Sequence, residues 1–125
     1  MGAKKRPKHL DLPKIRLPLP GFVSILHRVS GAGLFLLLPF LLYLLQLSLG
    51  SPESYAGFRA LVANPLAKLV LFGLLWAFMH HLCAGIRYLI LDLGYGLELK
   101  GARSSSVAVL AASLALTLIL GFRLW

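Results

Sequence analysis

The chain of 125 residues is apolar and basic, with 58% hydrophobic content, a mean hydropathy of +0.82 and a formal net charge of +9. This hydropathy excludes an ordinary soluble domain, and the length leaves no room for several domains. The charge does not indicate nucleic-acid binding, because basic residues concentrate near the N-terminus and at the ends of apolar runs, where they set membrane orientation. The single cysteine, Cys83, permits neither an internal disulfide nor a cysteine-based cluster. Composition therefore predicts a small integral membrane protein.

The first predicted element, residues 1–20, is a basic and proline-rich arm. Proline removes backbone donors and disfavours a helix, so we expect this arm to be extended and solvated. It has no apolar stretch of the kind that a cleavable signal peptide requires. We therefore expect residues 21–125 to form a membrane domain that inserts into a bacterial inner membrane by its own spans.

Three apolar runs follow, at about residues 29–49, 66–91 and 106–122. Since about 20 apolar residues cross a bilayer, these runs predict an all-α membrane protein with three transmembrane helices. Residues 50–65 and 92–105 are predicted to be connecting loops. On this arrangement, ten of the 13 Lys and Arg residues fall on the N-terminal side of the membrane, which predicts a cytoplasmic N-terminus.

Near the first run, Ser24 and Arg28 lie one helical turn apart. A hydroxyl can donate to a quinone carbonyl, and a guanidinium can stabilise the negative charge that develops on reduction. The alternative is an arginine that extends to the lipid surface. His27 lies about 100° from Arg28, and this pair can meet the anionic propionates of a haem or a polar head group.

The second run contains adjacent histidines, His80 and His81, which are uncommon at membrane depth and indicate a functional site. His81, Gly85 and Tyr88 fall on one helical stripe, and His80 faces another direction. The gap at Gly85 admits a partner helix or a flat ligand, and a neutral imidazole beside such a gap suits a haem iron. Two histidines hydrogen-bonded between helices are an equally open interpretation.

The predicted depth of these side chains separates them. His81 lies about ten residues, or roughly 15 Å, inside its helix, whereas His27 lies where the first helix enters, so we do not expect them to share one iron. The second axial ligand of a six-coordinate haem would then come from another subunit. Arg87 and Asp92, at the end of the second run, are interpreted as a positively charged flank with a salt bridge.

Two motifs are specific in combination: SxxHRxSG from Ser24 to Gly31, and HxxxGIR from His81 to Arg87. With the flanking Leu10-Asp11-Leu12 and Asp92-x-x-Tyr95, they resemble the cytochrome b membrane-anchor subunit of succinate dehydrogenase (respiratory Complex II) over nearly the whole chain. The resemblance implies that His81 is the axial ligand of a haem b iron shared with a second anchor subunit. It also implies a ubiquinone site at Ser24 and Arg28, with His27 and Arg28 near the haem propionates. The family often has a histidine where this chain has Tyr88. His80 lies outside the motif register, so we expect it to be a packing neighbour.

The resemblance also implies partners, namely a flavoprotein subunit, an iron–sulfur subunit and a second membrane-anchor subunit within the lipid membrane. The chain would be non-catalytic alone and would pass electrons from the iron–sulfur subunit to ubiquinone. One alternative is the anchor of a fumarate reductase, in which electrons flow from quinol in the opposite direction. The other is a structural membrane anchor without redox function.

Overall fold

A computed structural model of the protein describes residues 8–9 and 11–125. Its four α-helices are α1 (Leu19–Leu49), α2 (Pro52–Ala63), α3 (Pro65–Asp92) and α4 (Leu99–Leu124). Helices α1, α3 and α4 contain 31, 28 and 26 residues, and each is long and apolar enough to cross a membrane. The three long apolar helices confirm the predicted all-α membrane fold class.

Helix α1 begins at Leu19, ten residues before the predicted start of the first span. Pro20 lies in its first turn, where a missing backbone N–H has no cost. The predicted arm contains a short 3₁₀ helix at Leu12–Lys14. An ion pair of 2.8 Å between Lys14 Nζ and Asp11 Oδ2 accompanies this turn. Residues 1–7 and 10 of the predicted arm lie outside the described residues.

The predicted loop at residues 50–65 is wrong, because most of it forms helix α2. Ser51 and Ser54 form a capping box, in which Ser54 N donates to Ser51 Oγ at 3.2 Å and Ser51 N donates to Ser54 Oγ at 2.7 Å. Asn64 caps the next helix by accepting from Leu66 N at 2.9 Å. Both proline pairs in this stretch, Ser51-Pro52 and Asn64-Pro65, are therefore helix starts.

The second predicted loop, residues 92–105, is also shorter than expected, since α4 already begins at Leu99. The linker contains Gly94 and Gly96, whose φ angles are +86° and +72°. A side chain rarely adopts this left-handed conformation, so both positions favour glycine. The tight linker makes α3 and α4 antiparallel neighbours.

Small side chains allow α1, α3 and α4 to pack closely. The buried core contains one residue from each helix, namely Val23 (0% exposed), Ala84 (0%) and Val109 (6%). Helix α4 also buries hydroxyl groups that bond back to their own helix, such as Thr117 Oγ1, which donates to Ser113 O at 2.7 Å. Close packing through small residues is typical of helix interfaces in membranes.

Candidate functional site

The His81 side chain on α3 reaches the backbone of α1. Its Nδ1 lies 3.1 Å from the carbonyl oxygen of His27 and 3.4 Å from Ser30 Oγ. A carbonyl oxygen only accepts, so Nδ1 carries the proton when this hydrogen bond forms. The other nitrogen, Nε2, is then the unprotonated atom of a neutral imidazole. A histidine that ligates a metal commonly has this arrangement, with one nitrogen bonded to a backbone carbonyl and the other free.

Gly31 provides the space for this contact. A Cβ atom at Gly31 would lie 2.8 Å from His81 Cε1 and 3.1 Å from His81 Nδ1, which is too close for the ring to keep its position. A Cβ atom at Gly33, by contrast, would have no atom within 4 Å. Gly31 and Ser30 belong to the SxxHRxSG motif, but their role toward His81 becomes visible only when the two helices are placed together.

His27 stacks directly on His81. The two ring centroids lie 4.2 Å apart with an interplanar angle of 15°, and the Tyr88 ring lies 5.2 Å from His27. The gap at Gly85 therefore faces His27, whose Nε2 would lie 3.7 Å from a Cβ atom at that position. The predicted difference in depth between His27 and His81 is wrong, because the early start of α1 at Leu19 places His27 about 12 Å along its helix.

The stacking of the two rings leaves little space for a ligand between them. Ring centroids 4.2 Å apart are in contact, so a flat group such as a haem would have to lie outside the pair. Within the described residues, no group of three or more His, Cys, Asp or Glu side chains is placed to hold a metal ion. A haem would need fewer protein ligands than a bare metal ion, because the porphyrin itself holds the iron.

The adjacent histidine, His80, points into the helix interface. Its side chain is 0% exposed, and it stacks on Trp76 with ring centroids 5.4 Å apart. Neither ring nitrogen has a hydrogen-bond partner in the described part of the chain, and the same holds for the Tyr88 hydroxyl. The predicted packing position of His80 agrees with this burial, although its unpartnered nitrogens are a feature that sequence reasoning missed.

Ser24 and Arg28 lie one turn apart within the first ten residues of α1. Ser24 is half-buried and Arg28 is exposed. Neither side chain forms a hydrogen bond with another residue among positions 8–9 and 11–125. As far as the described residues go, both polar groups are therefore available to a ligand or a partner.

Arg87 does not form the expected flank. It is only 6% exposed, and its Nε donates to Ser105 Oγ at 2.9 Å while its Nη2 donates to Ala102 O at 3.3 Å. The predicted salt bridge with Asp92 is wrong, because the only ion pair in the described chain joins Lys14 and Asp11. The early start of α4 brings polar groups to Arg87 that the sequence had assigned to a loop.

Comparison with known proteins identifies relatives along nearly the whole chain. Residues 2–120 match the model of the succinate dehydrogenase/fumarate reductase transmembrane subunit family. The chain is 38% identical to the succinate dehydrogenase cytochrome b556 subunit of Coxiella burnetii, with 97% of this chain and 98% of the relative covered. It is 36% identical to the subunit of the same name from Paracoccus denitrificans, with coverage of 91% and 88%. A cytochrome b560 subunit from Reclinomonas americana is 31% identical, with coverage of 91% and 83%.

The family match and the three long apolar helices agree with the fold and with a multi-pass protein of the bacterial inner membrane. They also agree with the motifs around Ser24 and His81. The chain belongs to the succinate dehydrogenase/fumarate reductase transmembrane subunit family.

Proposed function

We propose that this chain is the membrane anchor of a bacterial succinate dehydrogenase, that it binds haem b and ubiquinone, and that it passes electrons from an iron–sulfur subunit to ubiquinone. Its relatives are named as cytochrome b subunits of succinate dehydrogenase, which favours this direction over fumarate reduction. The observation that carries the haem assignment is the bond between His81 Nδ1 and the His27 carbonyl, which leaves Nε2 without a hydrogen-bond partner among residues 8–9 and 11–125.

His81 would hold the haem iron through Nε2, together with a residue of a second anchor subunit. The residues present fit this role, because Gly31 leaves room for the ring and the His27 carbonyl fixes its orientation. When bound, haem b supplies a one-electron carrier close to the quinone. The exposed Arg28 and its neighbour His27 would lie near the anionic propionates.

Ser24 and Arg28 would bind the quinone at the membrane edge. The Ser24 hydroxyl would donate to one quinone oxygen and orient the ring. The positively charged Arg28 guanidinium would stabilise negative charge that develops as electrons arrive. Succinate oxidation would take place on a flavoprotein subunit, with the iron–sulfur subunit as the electron donor to this site.

The experiment that tests the haem assignment compares His81→Leu with His80→Leu in the purified complex. We expect His81→Leu to abolish or shift the reduced haem b absorption, because the haem would lose a side chain that holds it. His80→Leu should retain that spectrum, since Leu fills a similar buried space without unpartnered nitrogens. Loss of haem only in His80→Leu would show that the wrong face of α3 was assigned. A native complex without haem absorption would instead favour a structural anchor.

A further inference from the structure

A second site lies between α3 and α4, at the end where the linker joins them. The α3–α4 groove has a volume of about 530 Å³. Its walls include Cys83, Ile86 and Ile90 of α3 and Ser104, Ala108 and Ala112 of α4. The bulky side chains come from α3, and the small side chains of α4 keep the groove open.

Arg87 provides a buried positive charge in this groove. It lines the groove and is only 6% exposed, yet no carboxylate lies within 4 Å of it in the described chain. Two of its nitrogens have the neutral acceptors Ser105 Oγ and Ala102 O. Its third nitrogen, Nη1, has no hydrogen-bond partner among the described residues. A buried charge without a counter-ion is costly at membrane depth, so the groove is suited to an anion.

The groove is separate from the proposed haem and quinone sites. Arg87 follows His81 by six residues, which corresponds to about 240° around the helix and about 9 Å along it. His81 accordingly faces α1, whereas Arg87 faces α4. Occupation of the α3–α4 groove therefore does not depend on haem or quinone binding.

The depth of Arg87 indicates where its anion comes from. Arg87 precedes the last residue of α3, Asp92, by five positions, so it lies about 7.5 Å from the helix end. The 28 residues of α3 exceed the roughly 20 that cross the hydrocarbon core, so a residue this close to the helix end would lie near the phospholipid head groups. Two exposed cations, Lys100 and Arg103, occupy the first turns of α4 at the same end. They favour a head group with net negative charge.

We propose that the α3–α4 groove binds one anionic phospholipid, with its phosphate on the Arg87 guanidinium and an acyl chain between Ile86, Ile90 and Ala108. The apolar walls favour a lipid over free phosphate, because an inorganic ion would leave them unfilled. Guanidinium binds phosphate through paired N–H donors, and Nη1 supplies one that no described residue uses. The competing occupant is a helix of a partner subunit that carries a carboxylate to Arg87.

The test measures phospholipid that stays bound to the purified complex after extensive detergent washing, by native mass spectrometry, for the wild type, Arg87→Gln and Arg123→Gln. The last variant is the control, since it removes an exposed arginine at the other end of α4. We expect wild type and Arg123→Gln to retain phosphatidylglycerol, and Arg87→Gln to bind it about tenfold more weakly, as loss of one charge-assisted contact implies. Equal retention by Arg87→Gln, or displacement of the lipid by inorganic phosphate alone, would overturn the proposal.

A second variant leaves the charge in place. Ala108→Phe fills the groove, so it should also lose the lipid, while the reduced haem b spectrum stays unchanged. If the Arg87→Gln complex does not assemble, lipid retention by Ala108→Phe tests the proposal instead. Disulfide cross-linking of Ser104→Cys to cysteines placed along the second anchor subunit tests the competing occupant, a helix of that subunit. Efficient cross-linking together with undiminished lipid in Ala108→Phe would show that a protein helix covers the groove.

Discussion

At the scale of single residues, the packing of His81 depends on the missing side chain of Gly31. We predict that Gly31→Ala displaces the His81 ring, because the added Cβ would lie 2.8 Å from its Cε1 atom. Overpacking of this kind costs about 1–3 kcal/mol. The haem b spectrum of the purified complex should shift or weaken, and its thermal stability should fall.

Gly33→Ala is the matched control for this prediction. It adds the same methyl group to the same helix two residues away, where nothing lies within 4 Å. Alanine is the better helix former, so the control should be neutral or slightly stabilising. Equal haem spectra in Gly31→Ala and Gly33→Ala would show that haem binding does not depend on the described position of the His81 ring.

A second prediction at this scale concerns Ser24 and Arg28. Ser24→Ala and Arg28→Leu should lower the rate of quinone reduction, because the quinone loses a hydrogen-bond donor or a stabilising charge. Oxidation of succinate with a soluble artificial acceptor should continue, since that reaction bypasses the membrane site. Ser48→Ala, which removes an exposed hydroxyl near the other end of α1, is the control. Parallel loss of both activities with loss of the complex would show that the two residues are structural.

The sequence predicts some of these residues better than others. A motif names His81, Ser24 and Arg28 as candidates, because each belongs to a short pattern on one helix. The stacking of His27 on His81 depends on where α1 starts and how it packs on α3. The spacing of residues within one helix predicts neither of these. The burial of Arg87 likewise depends on acceptors 15 and 18 residues further along the chain.

At the scale of elements, the α3–α4 linker depends on glycine. Gly94 has a φ of +86°, so Gly94→Ala should lower stability by about 1–2 kcal/mol through left-handed backbone strain. Gly94→Asn should be milder, because asparagine tolerates this conformation better than alanine. Thermal dissociation of the purified complex provides the measurement.

Gly57→Ala in α2 is the control, and it should change stability in the opposite direction to Gly94→Ala. Gly57 is helical and exposed, and a Cβ atom there would have no neighbour within 4 Å. The substitution should stabilise the helix by about 0.5–1 kcal/mol. A Gly94→Ala complex as stable as Gly57→Ala would contradict the described linker.

The elements that sequence reasoning missed share a physical cause. Apolar length predicts the three long helices, because the bilayer requires it. Helix α2 has only 12 residues, and its stability depends on the Ser51 capping box and on packing against α1, neither of which hydropathy measures. Proline is common in loops, but it is also favoured in the first turn of a helix, where Pro52 and Pro65 lie.

At the scale of the whole molecule, the orientation remains a prediction from charge. Ten of the 13 Lys and Arg residues lie on the N-terminal side of the proposed topology, which places the N-terminus in the cytoplasm and the C-terminus in the periplasm. A reporter that is active only in the cytoplasm should be silent when fused after Trp125. The same reporter inserted in the α3–α4 linker should be active, and the reverse result would contradict the predicted orientation.

The six-residue separation of α3 from α4 also bears on how the chain enters the membrane during synthesis. Arg87 is made before its acceptors, Ala102 and Ser105, so for a short period the new helix presents an uncompensated cation. The brief linker limits that period, because the first turns of α4 follow almost at once. The last two helices are therefore suited to enter the membrane as a pair.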